Sequence, residues 1–489
     1  MLTKSKIIKH RQCPRLLWLD LNRRDLAKPD DTTIARMAEG NRVGDVSRQL
    51  HPGGVLIDTL NLKDALTRTQ QALSQQSLPV FEPAFVANEV LVRVDLLLPE
   101  NTGYRLVEVK SATEVKDYHY EDAAVQYWVM TQAGVKPTSV ALGHINNKFE
   151  YTEVGNYQGL ITETDITASV KERFADVPAW VAAAHATSEQ TQLPHATVGP
   201  QCRSPFECAY TEYCQSLETT TEYPVSILPR ISAKQRAEFA QQGIVDVRDI
   251  PDNYLEKENH EIVRKASLTG ETYLNPRAKE ALAQLGYPRY YLDFETVAPA
   301  VPRWLKSRPY QQIPFQWSCH QETTAGAELL HTQYLHPDAS DPRRAFAESL
   351  LQTLGEQGPI LVYNAGFERT RIEELAECLT DLVPSLLALV ERIVDLLPLA
   401  QKNYYHPSML GSWSIKAVLP TVSALDYASL KIGNGGLAQV AYIEMIDIDT
   451  PANRRAQIYE DLSKYCYQDT LAMVHVAKRL SGASARCAS

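Results

Sequence analysis

Two apolar runs, VLVRVDLLL at 90–98 and YRLVEVK at 104–110, flank the turn-forming PENTG, a pattern that predicts strand, turn, strand. Side chains at i and i+2 of a strand share a face. Glu108 and Lys110 are therefore expected on one side, with Asp95 on the preceding strand. Further along, YEDAAVQYWVMTQAG reads as a helix, and ILPRISAKQRAEFAQQGIVDVRDIP as short helices broken by Gly243 and Pro251. YYLDFET reads as a strand, ILVYNAGFERTRIEELA as a short strand entering an amphipathic helix, and AQIYEDLSKYCYQDTLAMVHVAKRL as a long amphipathic helix.

These elements divide the chain into a first domain over 1–217, a helical connector over 218–285, a second domain over 286–480 and a frayed tail over 481–489. The 489 residues exceed what one core supports, and the fold class expected is multidomain α/β. With 44% hydrophobic and 22% charged residues the composition is that of a globular protein. No apolar run approaches the roughly 20 residues of a membrane helix, and the opening MLTKSKIIKHRQCPR has no secretory apolar core. The expectation is a cytoplasmic protein with no membrane partner. A net charge of −10 argues against gripping nucleic acid by bulk charge, but leaves room for a local basic groove or bound metal ions.

Cysteine spacing changes the picture. CRSPFECAYTEYC places Cys202, Cys208 and Cys214 at intervals of six, and Cys13 in RQCPRLLWL offers a fourth thiolate. In a reducing compartment such a set points to metal rather than disulfides. Four thiolates hold either an iron–sulfur cluster or a zinc ion, and separately buried cysteines are the plain alternative. A shared cluster would staple the two ends of the first domain together.

Buried carboxylates in apolar strands need partners or a metal. Asp95 and Glu108 could share a divalent cation, with Lys110 stabilising the charge of a phosphate under attack. Asp95, Glu108, Val109 and Lys110 resemble the D…(D/E)xK core of RecB-like nucleases, and one cysteine before this core with three after it resembles their iron–sulfur members. The resemblance implies a restriction-endonuclease-like fold, Mg²⁺ or Mn²⁺, and a 4Fe–4S cluster with Zn²⁺ as the alternative. The early histidine of that family is absent, which leaves Glu39 or Glu82 as candidates for the upstream ligand. The family's Gln-x-x-x-Tyr is present only as Gln126, four residues before Met130.

The last domain carries a second constellation. Asp293 and Glu295 alternate to one strand face, Asn364 and Glu368 open a helix, and Tyr465 and Asp469 lie four apart on a helix and share its face. Two-metal phosphodiester cleavage uses such an inventory of acids, with Tyr465 available to orient water. The set resembles the DnaQ-like (DEDD) exonucleases of the ribonuclease H fold, in the variety with a Tyr-x-x-x-Asp motif. Glu368 departs from the family's Asp. Asp395 is a nearby acid expected to be structural, Lys416 a solvated lysine or phosphate contact, Cys466 packing, and the aromatics of RPYQQIPFQWSCH either packing or base-stacking.

CPRLLWL, VEVKSAT, LDFET, RPYQQIPFQ, VYNAGFE and GSWSIKAVLP together resemble an uncharacterised bacterial family that fuses the two domain types. The resemblance implies a hydrolase: a metal-dependent nuclease on DNA or RNA, expected to act as an exonuclease on single strands or ends. Its metal ligands would be Asp95 and Glu108 in one centre, and Asp293, Glu295, Glu368 and Asp469 in the other. No Gly-Lys dipeptide occurs, so there is no GxxxxGK[ST] phosphate loop, and unwinding would fall to a partner helicase or another repair or defence protein. The alternative is a nucleic-acid-binding or scaffold protein with degenerate centres.

Overall fold

Glu108 lies on a strand that is covered on both faces. In this computed structural model, which describes residues 1–28, 31–75, 77–100, 103–218 and 221–482 (without the side chains of 31–36), the chain is mixed α/β with several sheets and many helices. Cys487 and most of the expected tail lie outside the described residues. Contacts divide the chain into two units, Met1–Thr219 with Pro299–Gln311, and Thr220–Ala298 with Gln312–Ser489. Among the described residues no helix is long and apolar enough to cross a membrane.

The first unit is built on a six-stranded sheet whose spatial order follows the chain: β1 (Val55–Leu56), β2 (Val80–Phe81), β3 (Leu96–Glu100), β4 (Gly103–Lys110), β5 (Ser139–Ile145) and β6 (Ile161–Asp165). β3 and β4 form the expected hairpin, with Leu96 opposite Val107, but the run 90–98 is broken at Val94 and Asp95 into two strands of different sheets, so Asp95 stands in a bend ahead of β3 rather than on a strand. β4 and β5 run parallel, which requires a crossover; helix Asp117–Gln132 supplies it. Tyr104 and Leu106 pack with Val125, Val129 and Leu142 on one face, while Val107 joins Phe81, Leu96 and Ala141 on the other. Alternation thus sends Glu108 into the layer between sheet and crossover helix. With α1 (Lys4–Gln12), α2 (Pro14–Asn22) and α3 (Asp31–Gln49) preceding it, that helix is α4; α5 (Thr211–Ser216) closes the unit.

Residues 299–311, expected within the last domain, belong to this first unit. They are irregular, so their backbone groups need outside partners. Lys306 N–H donates to Tyr151 O at 2.7 Å, Tyr151 N–H to Ser307 O at 3.0 Å, and Ala300 N–H to the Glu39 carboxylate at 2.6 Å. Tyr310 donates its hydroxyl to Ser111 O. Ala300 and Val301 are buried with Val43 and Val46.

In the second unit the sheet order is β9 (Leu330–Leu335), β8 (Ile313–Glu322), β7 (Arg289–Val297), β10 (Ile360–Val362) and β11 (Ile393–Asp395), antiparallel on the β8–β9 side of β7 and parallel on the other. Tyr290, Leu292 and Phe294 pack on the side that includes Phe346, Leu350 and Ile372, from α8 (Arg343–Leu354) and α9 (Gly366–Cys378). Tyr291 packs on the opposite side with Met473. Asp293 and Glu295 share that side by alternation. Further helices of this unit include α6 (Ala233–Gln241) and α7 (Glu258–Thr269) ahead of β7, and α10 (Leu396–Asn403), α11 (Ile415–Val422), α12 (Gly435–Met445) and α13 (Ala452–Leu480) after it. α13 buries Ile458, Leu462, Tyr465, Cys466, Asp469 and Met473, the 3.6-residue stripe of a core-facing helix.

The stretch 218–285, expected to stand as a separate connector, is part of this unit. Leu228, Phe239, Val263 and Leu282 share a core with Tyr404, Tyr405, Met473 and Leu480, because short helices cannot bury an apolar stripe on their own. Gly411 is the close approach in this packing. Its φ is +78°, and a Cβ there would lie 1.7 Å from Ile227 O. Gly411→Ala is therefore expected to destabilise the second unit by more than about 1 kcal/mol, read as a lower urea midpoint at unchanged slope.

Candidate functional site

β7 leaves the regular ladder immediately after Glu295, where the register with β8 shifts. Such a bulge re-aims neighbouring side chains. One carboxylate oxygen from each of Asp293, Glu295 and Asp469 lies within 4.8 Å of the others. Ligands of an octahedral Mg²⁺ stand about 2.9 Å apart when adjacent and about 4.2 Å when opposite, so the three oxygens are near the spacing at which they would share an ion. Asp469 reaches the trio from α13, one turn after Tyr465, and the two do share a helix face.

Among the described residues nothing fully compensates this charge. Burial first, then Asp469, Glu295 and Glu368, push the Asp293 carboxyl well above the usual range. Burial and Asp469 push Glu295 up to about 8, with Lys416 opposing them. Asp469 rises only to about 6, because a hydrogen bond from Tyr427 at 2.5 Å, Lys416 and the Tyr465 hydroxyl offset its burial. Glu368, in the first turn of α9, is pushed by burial to about 8 and leaves Oε2 buried without a partner. It lies near enough to raise Asp293 but outside the 4.8 Å trio. The donor set of hard, negatively charged oxygens suits Mg²⁺ or Mn²⁺.

Around this trio the structure sorts the other candidates. Asn364 has φ +82° and gives its N–H to Asp395 at 3.0 Å; Asp395 also accepts from Ala365 N–H and Leu397 N–H, both at 2.9 Å. Both residues thus build the turn that presents α9. Cys466 is buried in the packing. Phe315 stacks on Tyr442 and Trp317 lies in the core, so these aromatics pack rather than face solvent. Tyr427 and the position of Lys416 are what the sequence reading missed; α11, the turn after it and α13 converge only in three dimensions.

In the first unit the charge is settled differently. Glu108 is 1% exposed and takes hydrogen bonds from Lys4 at 2.7 Å, Lys110 at 2.5 Å and Gln126 at 2.5 Å. Asp122 pairs with the same two lysines, at 3.2 and 2.7 Å. Burial alone would raise Glu108, but Lys110 and Lys4 outweigh it and hold the carboxyl well below its usual range. Asp95 accepts from Val109 N–H at 2.6 Å and is pushed up to about 8, by burial and then by Glu108. Asp95 and Glu82 line a cleft of about 410 Å³ with Arg48 and Asn41, and burial raises Glu82 as well. The other upstream candidate, Glu39, is turned to Ala300 N–H, because the unpaired backbone of 299–311 claims its carboxylate. Lys4 and Asp122 were not foreseen, although Asp122 and Gln126 stand at the i, i+4 spacing of one helix face.

Cys13, Cys202, Cys208 and Cys214 line one small cavity, of about 20 Å³, with Arg15 and Tyr210. The Gln12 side chain donates to Gln201 O at 2.8 Å and Phe206 O at 2.6 Å. It thereby ties the cysteine loop to the α1–α2 junction that carries Cys13. No three of these sulfurs come within 4.8 Å of one another.

Residues 290–414 match a family model described as a domain of unknown function, DUF2779. The match covers Asp293, Glu295 and Glu368 and ends before Lys416. Among curated proteins, the chain is similar to "Uncharacterized protein MG366 homolog" of Mycoplasma pneumoniae, 26% identical over 217 residues, which is 40% of this chain and 33% of the relative. "Uncharacterized protein UU173" of Ureaplasma parvum is 24% identical over 220 residues, 41% of this chain and 32% of the relative. The matched stretch spans about a third of the length of these relatives.

The two acid clusters should respond oppositely to loss of charge. The second unit's acids have pKa values raised from about 4 to as much as about 8. Stability of the metal-free protein is therefore lost as pH rises from about 4 through 8. Asp293→Asn is expected to raise the melting temperature of metal-free protein at pH 8 by about 2–4 °C and to abolish the further rise that Mn²⁺ gives the parent. Glu108→Gln, which leaves Asp122 as the one carboxylate paired with both Lys4 and Lys110, is expected to cost roughly 3 kcal/mol; urea unfolding measures it.

Proposed function

We propose that this protein is a metal-dependent nuclease that hydrolyses phosphodiester bonds of DNA or RNA, with its principal centre at Asp293, Glu295 and Asp469 and with Glu368 as the fourth acid. The observation that carries this reading is the gathering of two buried carboxylates, Glu295 and Asp469, and the half-buried Asp293 within 4.8 Å, with no lysine or arginine paired to them among the described residues. It is supported by the likeness to DnaQ-like exonucleases of the ribonuclease H fold, which also leads us to propose action on single strands or ends. Mg²⁺ or Mn²⁺ bound there would supply the charge that activates water and stabilises the leaving oxygen. The chain's own groups do the positioning: Tyr427 fixes Asp469 through Oδ1, and β7 holds Asp293 and Glu295 rigidly. Tyr465, whose hydroxyl burial keeps protonated, is placed beside these acids to orient the attacking water.

For the first unit we propose a restriction-endonuclease-like domain of the RecB type, with Asp95, Glu82 and Glu108 as the acids of its centre. A second reading, binding of nucleic acid without cleavage, is favoured there by one observation: Lys4, Lys110 and Gln126 already occupy both Glu108 oxygens. A cation would have to displace an ammonium. For the cysteine cavity we propose a 4Fe–4S cluster. Around one Zn²⁺ the sulfurs would stand about 3.8 Å apart, whereas a cluster takes each thiolate at a different iron and suits the wider spacing. Strand separation would come from a partner protein such as a helicase.

End-labelled single- and double-stranded DNA and RNA, incubated with Mg²⁺ or Mn²⁺, test the reading. Activity lost in Asp293→Asn and retained in Asp95→Asn is the expected result; inertness of the parent on every substrate overturns it. Anaerobically purified protein is expected to be brown and to carry about four irons per chain, falling in Cys13→Ser; stoichiometric zinc without colour would exclude the cluster.

A further inference from the structure

Lys416 holds an unusual position for an ammonium beside a buried acid cluster. It bonds to Gly433 O and stands over the rings of Tyr427 and Tyr465, 5.2 and 5.5 Å from their centroids. It is close enough to lower both Glu295 and Asp469, yet no carboxylate among the described residues bonds to it. An ammonium carries three N–H donors, and two remain for another acceptor. The contrast with the first unit is direct, where Lys4 and Lys110 close on their acids. In the second unit a carbonyl and two aromatic faces restrain the cation, leaving a gap between it and the carboxylates. Tyr427 links the two sides, facing Lys416 with its ring and Asp469 with its hydroxyl.

The neighbouring backbone adds to this. The segment Lys431–Gly436 leads into α12, and a Cβ on Gly435 would lie 3.5 Å from Glu295 Oε2. The first turn of α12 therefore begins against the acid cluster with no side chain between them. The positive end of a helix dipole favours negative charge there.

We infer that Lys416, positioned by Gly433, Tyr427 and Tyr465, contacts a backbone phosphate of the substrate strand next to the Asp293–Glu295–Asp469 centre. This rests on the nuclease reading and adds a substrate-binding residue beyond the resemblance to DnaQ-like enzymes. A phosphate in the gap receives a charge-assisted hydrogen bond from Lys416 and faces the cation-binding side of the acids. The contact is to the phosphodiester and is shared by DNA and RNA. The ring faces matter because they hold Lys416 in place without giving it a carboxylate to pair with.

The test separates binding from cleavage. Affinity for fluorescent single-stranded DNA and RNA is measured with Ca²⁺ in place of Mg²⁺, for the parent, Lys416→Met and Lys416→Arg, over a series of salt concentrations. Mn²⁺ affinity is measured alongside. Lys416→Met is expected to bind the strand about tenfold more weakly, with the salt slope reduced by about one contact and Mn²⁺ bound at least as tightly as by the parent. Lys416→Arg retains most of the affinity. An oligonucleotide with one methylphosphonate at the contacted linkage weakens binding to the parent by a similar factor and has no further effect on Lys416→Met. Unchanged strand affinity in Lys416→Met overturns the inference even where the parent cleaves, and so does a loss that follows lost Mn²⁺ binding. A parent that binds through Lys416 yet cleaves nothing supports the contact and overturns the nuclease reading.

Discussion

Repulsion among buried carboxylates is the constraint around which the second unit is organised. Each acid taken from water costs several kcal/mol even after relaxation, and Asp293, Glu295 and Asp469 stand close enough to add to one another's cost. A fold tolerates that arrangement when the cost is recovered elsewhere, by protonation or by an incoming cation. The first unit solves the same problem internally, with Lys4 and Lys110 closing on Glu108 and Asp122. The two units thus present opposite states of one chemistry: an acid cluster held open, and an acid cluster already neutralised.

What holds the open cluster open is scaffold rather than charge. Asp293 and Glu295 are both paired with β8, opposite Ser318 and Gln316, which limits their freedom to separate. α13 is 29 residues long and anchored along its length by an apolar stripe, which fixes Asp469 where it is. The Tyr427 hydroxyl takes one Asp469 oxygen, and the Tyr465 hydroxyl also acts on this carboxyl. Asp395 gathers three backbone N–H groups at the start of α9 and α10, stabilising the turn that delivers Glu368.

Much of this was legible in the sequence because it depends on local periodicity. Alternation placed Asp293 with Glu295 and Glu108 with Lys110, and the four-residue helical repeat placed Tyr465 with Asp469. Tyr427, Lys4 and Asp122 were not legible, since each enters its site from an element whose position is set by packing. Glu39 shows the limit from the other side. It is an acid in a suitable stretch, but its carboxylate is taken by a backbone N–H some 260 residues away in the chain, and no local pattern reports that. The connector failed as a separate domain for a related reason: apolar stripes show that a helix must be covered, not by what.

The excursion of residues 299–311 carries a practical consequence for dissecting this protein. The polypeptide passes from one unit to the other near 219, again near 298 and back near 311. No single cut yields two intact halves. A fragment ending near 218 would expose Val43 and Val46 and leave Glu39 without its amide. A fragment beginning near 220 would strip Ala300 N–H, Lys306 N–H and the Tyr310 hydroxyl of their acceptors, in the connection between the strand bearing Glu295 and its antiparallel neighbour. Assigning activities by truncation would therefore confuse a missing catalyst with a damaged scaffold, and substitutions within the uncut polypeptide are the sounder tool.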